Sequence, residues 1–169
     1  MTNVSIRPEE PRDALGVRQT NEQAFGTPLE AGLVDALRGS SGSVALVATI
    51  DHRVVGHILF TPVTLDPPAD VRVAGLAPMS VLPEYQRRGV GAALVRAGLE
   101  ECRRRQYAAV VVVGHPEYYP RFGFVPGHTK RLECEFPVPQ EAFMVLELAA
   151  GALVGVSGVV RYRPEFAAE

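Results

Sequence analysis

Hydrophobic positions along the chain follow two periods, which separate predicted helices from predicted strands. Apolar residues three and four apart predict helices, and the second helix opens with Pro28 and with Thr27 three residues before Glu30, the spacing of a capping box. Alternating or continuous apolar runs predict strands, and the run AAVVVVG suits a strand covered on both faces. The predicted helices span residues 13–25, 28–38, 90–105 and, more briefly, 116–123. The predicted strands span residues 3–7, 43–50, 53–63, 71–82, 108–114, 131–136, 142–148 and 156–162.

The order of these elements predicts a single α/β (α+β) domain over residues 1–169. Antiparallel hairpins come first, including one that turns at Asp51 and His52, and a crossover helix then joins two central strands. We therefore expect a mixed, mostly antiparallel central sheet flanked by about four helices. Pro78 within its strand predicts a bulge or a local break in pairing. Residues 149–169 are expected to be a C-terminal extension or an additional strand.

Composition and charge are those of an ordinary globular protein. The chain is 47% hydrophobic and 21% charged, and its formal net charge of -2 gives no reason to propose nucleic acid as a partner. Cys102 and Cys134 lie far apart in no metal-binding spacing, which favours free thiols in a reducing compartment. No signal-peptide core or long apolar run is visible, so we expect a cytoplasmic protein without membrane or metal.

The stretch PEYQRRGVGAALVR, residues 83–96, places Gly89 and Gly91 between a strand and a helix. Free N–H groups at a helix N-terminus let a phosphate approach closely where no Cβ intervenes. A dinucleotide fingerprint is excluded because Leu94 stands where the third glycine belongs, and a P-loop is excluded because no Lys-Ser or Lys-Thr follows. Two readings stay open: a phosphate cradle beside Arg87 and Arg88, or glycines that only permit a tight turn.

These residues also carry a family resemblance. QRRGVGA, with Gln86, Gly89 and Gly91, resembles the Q/R-x-x-G-x-G/A motif of the GNAT superfamily of N-acetyltransferases. MSVLPEY resembles the end of that family's central strand, and YYPRFGF resembles its tyrosine-containing segment. The resemblance extends from SIRPEEPRDA to about Leu148 and is greatest to a bacterial subgroup with unassigned substrates. It implies the GNAT acyltransferase fold, with a splayed pair of parallel strands.

The resemblance implies that acetyl-CoA, the co-substrate, lies where the two parallel strands separate. An unprotonated amine would attack the thioester carbonyl directly, and a backbone N–H near Val81 would polarise that carbonyl. Tyr119, four residues before Gly123, takes the place of the family's catalytic tyrosine and would protonate the departing thiolate, while Tyr118 would point elsewhere. The implied acetyl-CoA contacts are backbone groups of Met79, Ser80 and Val81 for the pantetheine arm, and of Arg87, Arg88, Gly89, Val90, Gly91 and Ala92 for the pyrophosphate.

The general base and the acceptor stay open at this point. Glu84, His115 or an ordered water are the candidate bases, and Glu117 and His57 are weaker ones. The acceptor is expected to be a small-molecule or peptide amine, held by the first two helices, the loops after them and residues 125–130. The alternative is a non-catalytic acyl-CoA-binding module of the same fold. The resemblance further implies a homodimer. The apolar tail GALVGVSGVV would serve either as its interface or as part of the chain's own sheet.

Overall fold

The structure, a computed structural model, describes residues 3–168 and follows the predicted order of elements. Within these residues there are three α-helices and nine strands. The helices are α1 (Ala14–Phe25), α2 (Leu29–Leu37) and α3 (Val90–Arg104). The strands are β1 (Ser5–Pro8), β2 (Val44–Ile50), β3 (Arg53–Asp66), β4 (Val73–Val81), β5 (Ala109–Val113), β6 (Val125–Pro126), β7 (Leu132–Cys134), β8 (Phe143–Glu147) and β9 (Gly158–Arg161). No helix of this described part is long and apolar enough to cross a membrane.

The main sheet is mixed and mostly antiparallel, as predicted. Its strands lie in the order β1-β2-β3-β4-β5-β8-β6, and only β4 and β5 run parallel. The β2–β3 hairpin turns at Asp51 and His52, whose φ angles of 49° and 65° are those of a tight turn with left-handed residues. Strand β5 is apolar throughout because Val110 and Val112 face one core cluster, and Ala109 and Val111 face another.

The parallel pair separates halfway along β4, which confirms the predicted splay. Val73–Leu76 pairs with Ala109–Val112, and beyond Leu76 strand β4 continues against β3 alone. The β3–β4 register shifts between Ile58 and Phe60, opposite the segment that contains Pro78, so the predicted bulge is also confirmed. One edge of residues 77–81 therefore faces a gap instead of a neighbouring strand.

The helices cover the sheet from both sides. Helix α3 lies so close to β3 that a Cβ at Gly98 would come within 2.2 Å of the Phe60 ring, so only glycine fits there. On the opposite face, α1 and α2 pack a separate apolar cluster against β2 and β3. That cluster comprises Val17, Leu33, Val34, Leu37, Val47 and Leu59.

Two details differ from the prediction at helix ends. Helix α2 begins at Leu29, and the Thr27 hydroxyl lies 2.9 Å from the Glu30 carboxylate instead of closing a capping box with the backbone. The fourth predicted helix is a single 3-10 turn over Tyr119–Phe122 that ends at Gly123 with φ 102°. Pro120 lies in this turn and has no backbone N–H to donate, which suits a short 3-10 segment better than an α-helix.

The C-terminal tail completes the sheet of its own chain. Strand β9 pairs with Thr64–Asp66 at the end of β3 and with Leu132–Cys134 of β7. A 3-10 helix over Pro164–Ala168 follows and contacts α2, which brings Phe166 against the α1–α2 cluster. The predicted additional strand is therefore present, and it is used within the chain.

Candidate active site

A cleft of about 960 Å³ opens where β4 and β5 separate. One side, called the donor side because acetyl-CoA is expected there, is formed by the end of β4, the turn before α3 and the segment from Val112 to Arg121. The other, called the acceptor side because the amine is expected there, is formed by the end of α1, the start of α2 and Phe166. The splay thus creates a channel that runs between the two helical layers.

The turn before α3 has the backbone shape of an anion site. Arg87 and Gly89, two residues apart, both have left-handed backbones, with φ 62° and 82°, and left-handed residues within a turn bring successive N–H groups toward one concavity. A Cβ at Gly91 would lie 3.3 Å from the Tyr118 hydroxyl and 3.4 Å from the Met79 sulfur, so a larger side chain would fill the space beside the helix N-terminus. Glycine therefore suits position 89 because of its left-handed backbone, and it suits position 91 because a side chain there would fill the space.

Seven of the nine residues implied for acetyl-CoA line this cleft. Of the other two, Val90 is buried against Gly56, and the Arg88 guanidinium lies 5.8 Å from the centre of the Tyr85 ring. The seven are Met79, Ser80, Val81, Arg87, Gly89, Gly91 and Ala92.

The backbone of β4 turns alternate residues toward the gap. The Leu82 N–H donates to the Val55 carbonyl at 2.8 Å, and antiparallel bonding recurs every second residue, so the Ser80 backbone bonds to His57. The backbone groups of Met79 and Val81 consequently face the gap left by β5. The Val81 carbonyl already accepts a hydrogen bond of 3.0 Å from the Gln86 amide. This differs from the expectation that all three residues offer backbone groups to a ligand.

Tyr119 lies at the buried end of the cleft. Its side chain is only 7% exposed, and its ring packs edge-on against Phe124 and directly over Gly114, where a Cβ would come within 2.4 Å. Burial raises the pKa of the Tyr119 hydroxyl to about 12. The hydroxyl is therefore protonated at neutral pH, as a proton donor must be.

Tyr118 also lines the cleft, so the expectation that it points elsewhere is wrong. Its hydroxyl lies beside Gly91 at the start of α3, and the Arg121 guanidinium stacks 4.3 Å from its ring centre. Burial raises the pKa of Tyr118, and the charges of Arg121 and Arg96 oppose that rise. The two tyrosines thus reach the cleft at different points, one near the turn and one at the end of β5.

The candidate bases lie in different places. The Glu84 carboxylate pairs with Arg53 at 3.6 Å on the surface, with more than half of its side chain exposed, and Glu117 is also exposed. His115 lines the cleft and is exposed to solvent. His57 is fully buried within the sheet, and its Nε2 lies 2.8 Å from the Glu9 carboxylate.

The acceptor side of the cleft is mainly apolar. Ala24, Phe25 and Leu33 form its wall together with Phe166, and Glu30 adds one carboxylate. The first two helices were predicted to contribute here, but Phe166 was not. No motif marks Phe166, because its position depends on the pairing of β9 with distant strands. Within residues 3–168, no group of three His, Cys, Asp or Glu side chains is arranged to hold a metal ion.

Known proteins are similar to this chain in sequence. Residues 14–124 match the sequence profile of the Acetyltransferase (GNAT) family. The chain is 39% identical over 163 residues to the uncharacterized N-acetyltransferase YhbS of Escherichia coli K12, covering 95% of this chain and 97% of that protein. It is 40% identical over 134 residues to the uncharacterized N-acetyltransferase YjhQ of the same strain, covering 76% of this chain and 74% of that protein.

Two solved structures have the same fold over nearly the whole chain. The crystal structure of E. coli YhbS in complex with CoA superposes with a TM-score of 0.93 at 37% identity, covering 99% of this chain and 93% of that one. A GNAT family acetyltransferase from Brucella melitensis in complex with acetyl-CoA superposes with a TM-score of 0.81 at 33% identity, covering 98% and 99%. With the profile match over more than half of its length, the chain belongs to the GNAT family of acetyltransferases.

Proposed function

We propose that this chain transfers an acetyl group from acetyl-CoA to a primary amine of a small molecule or peptide by direct attack. The observation that carries the proposal is the cleft itself, which joins a helix N-terminus suited to a pyrophosphate with a protonated, buried tyrosine. The complexes of the YhbS protein with CoA and of the Brucella protein with acetyl-CoA support this donor. A cytoplasmic location and a homodimer are further parts of the proposal.

The proposed reaction needs two proton movements. The amine nitrogen attacks the thioester carbon, a C–N bond forms and the C–S bond breaks, and the carbonyl is restored. Starting from the neutral amine, the CoA thiolate takes a proton from the Tyr119 hydroxyl, and the proton that the attacking nitrogen gives up returns through solvent to the Tyr119 phenolate. The Val81 N–H, which faces the gap, donates a hydrogen bond to the carbonyl oxygen as negative charge develops there.

Adjacent tyrosines provide a matched test of the proton donor. Tyr119→Phe is expected to lower kcat by about 10²-fold, the usual contribution of a positioned acid, with acetyl-CoA affinity unchanged. Tyr118→Phe removes the same hydroxyl group from a ring in the same cleft and serves as the control. The assay follows thiol release from acetyl-CoA with a panel of primary amines, and calorimetry measures binding.

Three results would contradict parts of the proposal. Full activity of Tyr119→Phe together with a large loss in Tyr118→Phe would move the acid to Tyr118. Acetyl-CoA binding without thiol release for any amine would favour the non-catalytic alternative. Failure of the wild-type chain to bind acetyl-CoA would remove the donor assignment.

A further inference from the structure

Three polar side chains lie in a row beneath the floor of the cleft. The β3–β4 register places His57 directly opposite Ser80, so both side chains lie on the same face of the sheet, with Cβ atoms about 5 Å apart. His57 is 0% exposed and Ser80 is 3% exposed. Ser80 lines the cleft, and Glu9 lies on the far side of His57. The row therefore leads from the cleft into the protein.

The Glu9 end of the row fixes which imidazole nitrogen carries the proton. Burial alone would raise the pKa of Glu9, but hydrogen bonds from His57 and Arg38, the charge of Arg38 and, when the imidazole is protonated, the charge of His57 outweigh burial and lower it. The ionised carboxylate accepts from Arg38 Nε at 3.0 Å and faces His57 Nε2 at 2.8 Å. Because an ionised carboxylate can only accept, Nε2 must donate. In a neutral imidazole this leaves Nδ1 as a free base.

The cleft end of the row has unused hydrogen-bonding capacity. Neither His57 Nδ1 nor Ser80 Oγ has a hydrogen-bond partner in the described part of the chain, so the two buried atoms are neighbours across the strands without a bond between them. Buried polar atoms are normally paired, and those that are not commonly mark a functional site. Thr61 Oγ1 is also buried without a partner in residues 3–168, but Thr61 lies opposite Gly75 and outside the lining of the cleft.

We propose that Ser80, His57 and Glu9 form a relay that takes the proton from the acceptor amine; this proposal rests on the proposed amine acetylation. An alkylamine with a pKa near that of lysine, about 10.4, is protonated at neutral pH and cannot attack until it loses a proton. The amine proton passes to Ser80 Oγ while the hydroxyl proton of Ser80 passes to His57 Nδ1. One proton leaves the amine and one arrives on the imidazole, which becomes an imidazolium beside the Glu9 carboxylate.

The position of Ser80 suits this role. It precedes Val81, the residue whose N–H faces the gap and is proposed to polarise the thioester carbonyl. The Ser80 side chain lies on the sheet face that α1 and α2 cover, because Ser80 pairs with His57 and His57 pairs with Val47 of the α1–α2 cluster. Glu9 retains 8% side-chain exposure, and Arg38 beside it is 31% exposed, so the inner end of the row approaches the surface. His57 and Glu9 act through Ser80 and are positioning residues in this scheme.

If His57 had only a structural role, its bond to Glu9 would be sufficient. Nuclear magnetic resonance distinguishes this structural role from a role in the relay and needs no acceptor amine. Side-chain 15N spectra of the unligated protein at neutral pH are expected to show His57 with a protonated Nε2 and an unprotonated Nδ1. His57→Gln assigns the signal among the four histidines of the chain. Ser80→Ala is expected to shift the Nδ1 resonance, and the control Thr61→Val is not. A protonated Nδ1, or no response to Ser80→Ala, overturns the relay.

Kinetics with the best amine of the panel provides the second test. Ser80→Ala and His57→Gln are each expected to lower kcat/KM at neutral pH by about 10²-fold, with acetyl-CoA affinity unchanged. The glutamine amide can still donate to Glu9, which preserves the structural bond. The ratio of wild-type to variant kcat/KM should approach one as the pH approaches the pKa of the amine, because the amine then deprotonates without help. The control Thr61→Val should retain wild-type rates.

A loss that is the same at every pH would show a structural effect and overturn the relay. If the wild-type chain acetylates no amine, the proposed function fails. In that case the tautomer and the Ser80→Ala response still decide whether the Ser80–His57 contact exists.

Discussion

The two sides of the cleft are built in different ways. The donor side comes from two short stretches, residues 76–92 and 112–121, and in the first of them Gly89 and Gly91 open the start of α3. The acceptor side consists of side chains from α1, α2 and the tail, which are separated by more than a hundred residues between Phe25 and Phe166. A backbone site for a common co-substrate needs only a short motif, whereas a side-chain site for one acceptor depends on the whole fold.

A substitution on the donor side is expected to produce the largest effect. Gly91→Val would place a branched side chain against the Tyr118 hydroxyl and the Met79 sulfur, in the space beside the helix N-terminus. We expect acetyl-CoA affinity to fall by about 10²-fold, or about 2.7 kcal/mol, because the pyrophosphate loses its close approach to the N–H groups. Isothermal titration calorimetry with acetyl-CoA measures this change.

Gly32→Val is the matched control for that substitution. Gly32 is also a helical glycine, and a Cβ there meets nothing within 4 Å. The control should bind acetyl-CoA as the wild type does. Equal loss in both variants would mean that valine damages the fold in general, and unchanged affinity in Gly91→Val would mean that the backbone turn does not hold the pyrophosphate.

A substitution on the acceptor side should affect the other substrate. Phe166→Ala removes an aromatic wall of the cleft and is expected to raise KM for the amine by about 10-fold, within the range for lost apolar contact, while acetyl-CoA affinity is unchanged. Phe136→Ala is the control. The ring centroids of Phe136 and Phe166 lie 5.6 Å and 5.4 Å from that of Tyr162, but of these two residues only Phe166 lines the cleft. Weaker acetyl-CoA binding in Phe166→Ala would show that the two sides are not separable.

The same contrast explains how much could be predicted from the sequence. The glycine turn and the broken strand were predictable, because Gly89 and Pro78 impose their conformations locally and Gly91 follows Gly89 in a short motif. The row of Ser80, His57 and Glu9 was not, because it depends on the β3–β4 register and on a contact between residues 48 positions apart. By sequence His57 is a weak candidate base, since an isolated histidine in an apolar strand gives no sign of what lies opposite it.

The anchoring of the two sides also differs, with ion pairs holding the helices of the acceptor side. Hydrogen bonds from Arg7 lower the pKa of Asp13 at the start of α1, where the carboxylate accepts at 2.7 Å and 2.8 Å and also bonds the Glu10 N–H. Since the folded pKa is lowered, this stabilisation is present above the unfolded pKa and is lost as the pH falls through the folded value. Helix α3 instead packs through apolar residues such as Leu94 and Leu99.

The last substitution removes this anchor and acts on stability. Asp13→Asn should lower the free energy of unfolding at neutral pH by about 1–2 kcal/mol, as for a partly buried charged hydrogen bond. Most of this difference between the variant and the wild type should vanish in acid, where Asp13 is protonated in the wild type. Glu100→Gln is the control, because its pair with Arg103 is exposed and should contribute little. Urea unfolding at neutral and acidic pH measures both variants. On acidification, hydrogen-exchange protection relative to the intrinsic rate at each pH should fall in α1 before α3; the reverse order would mean that the ion pair does not anchor the acceptor side.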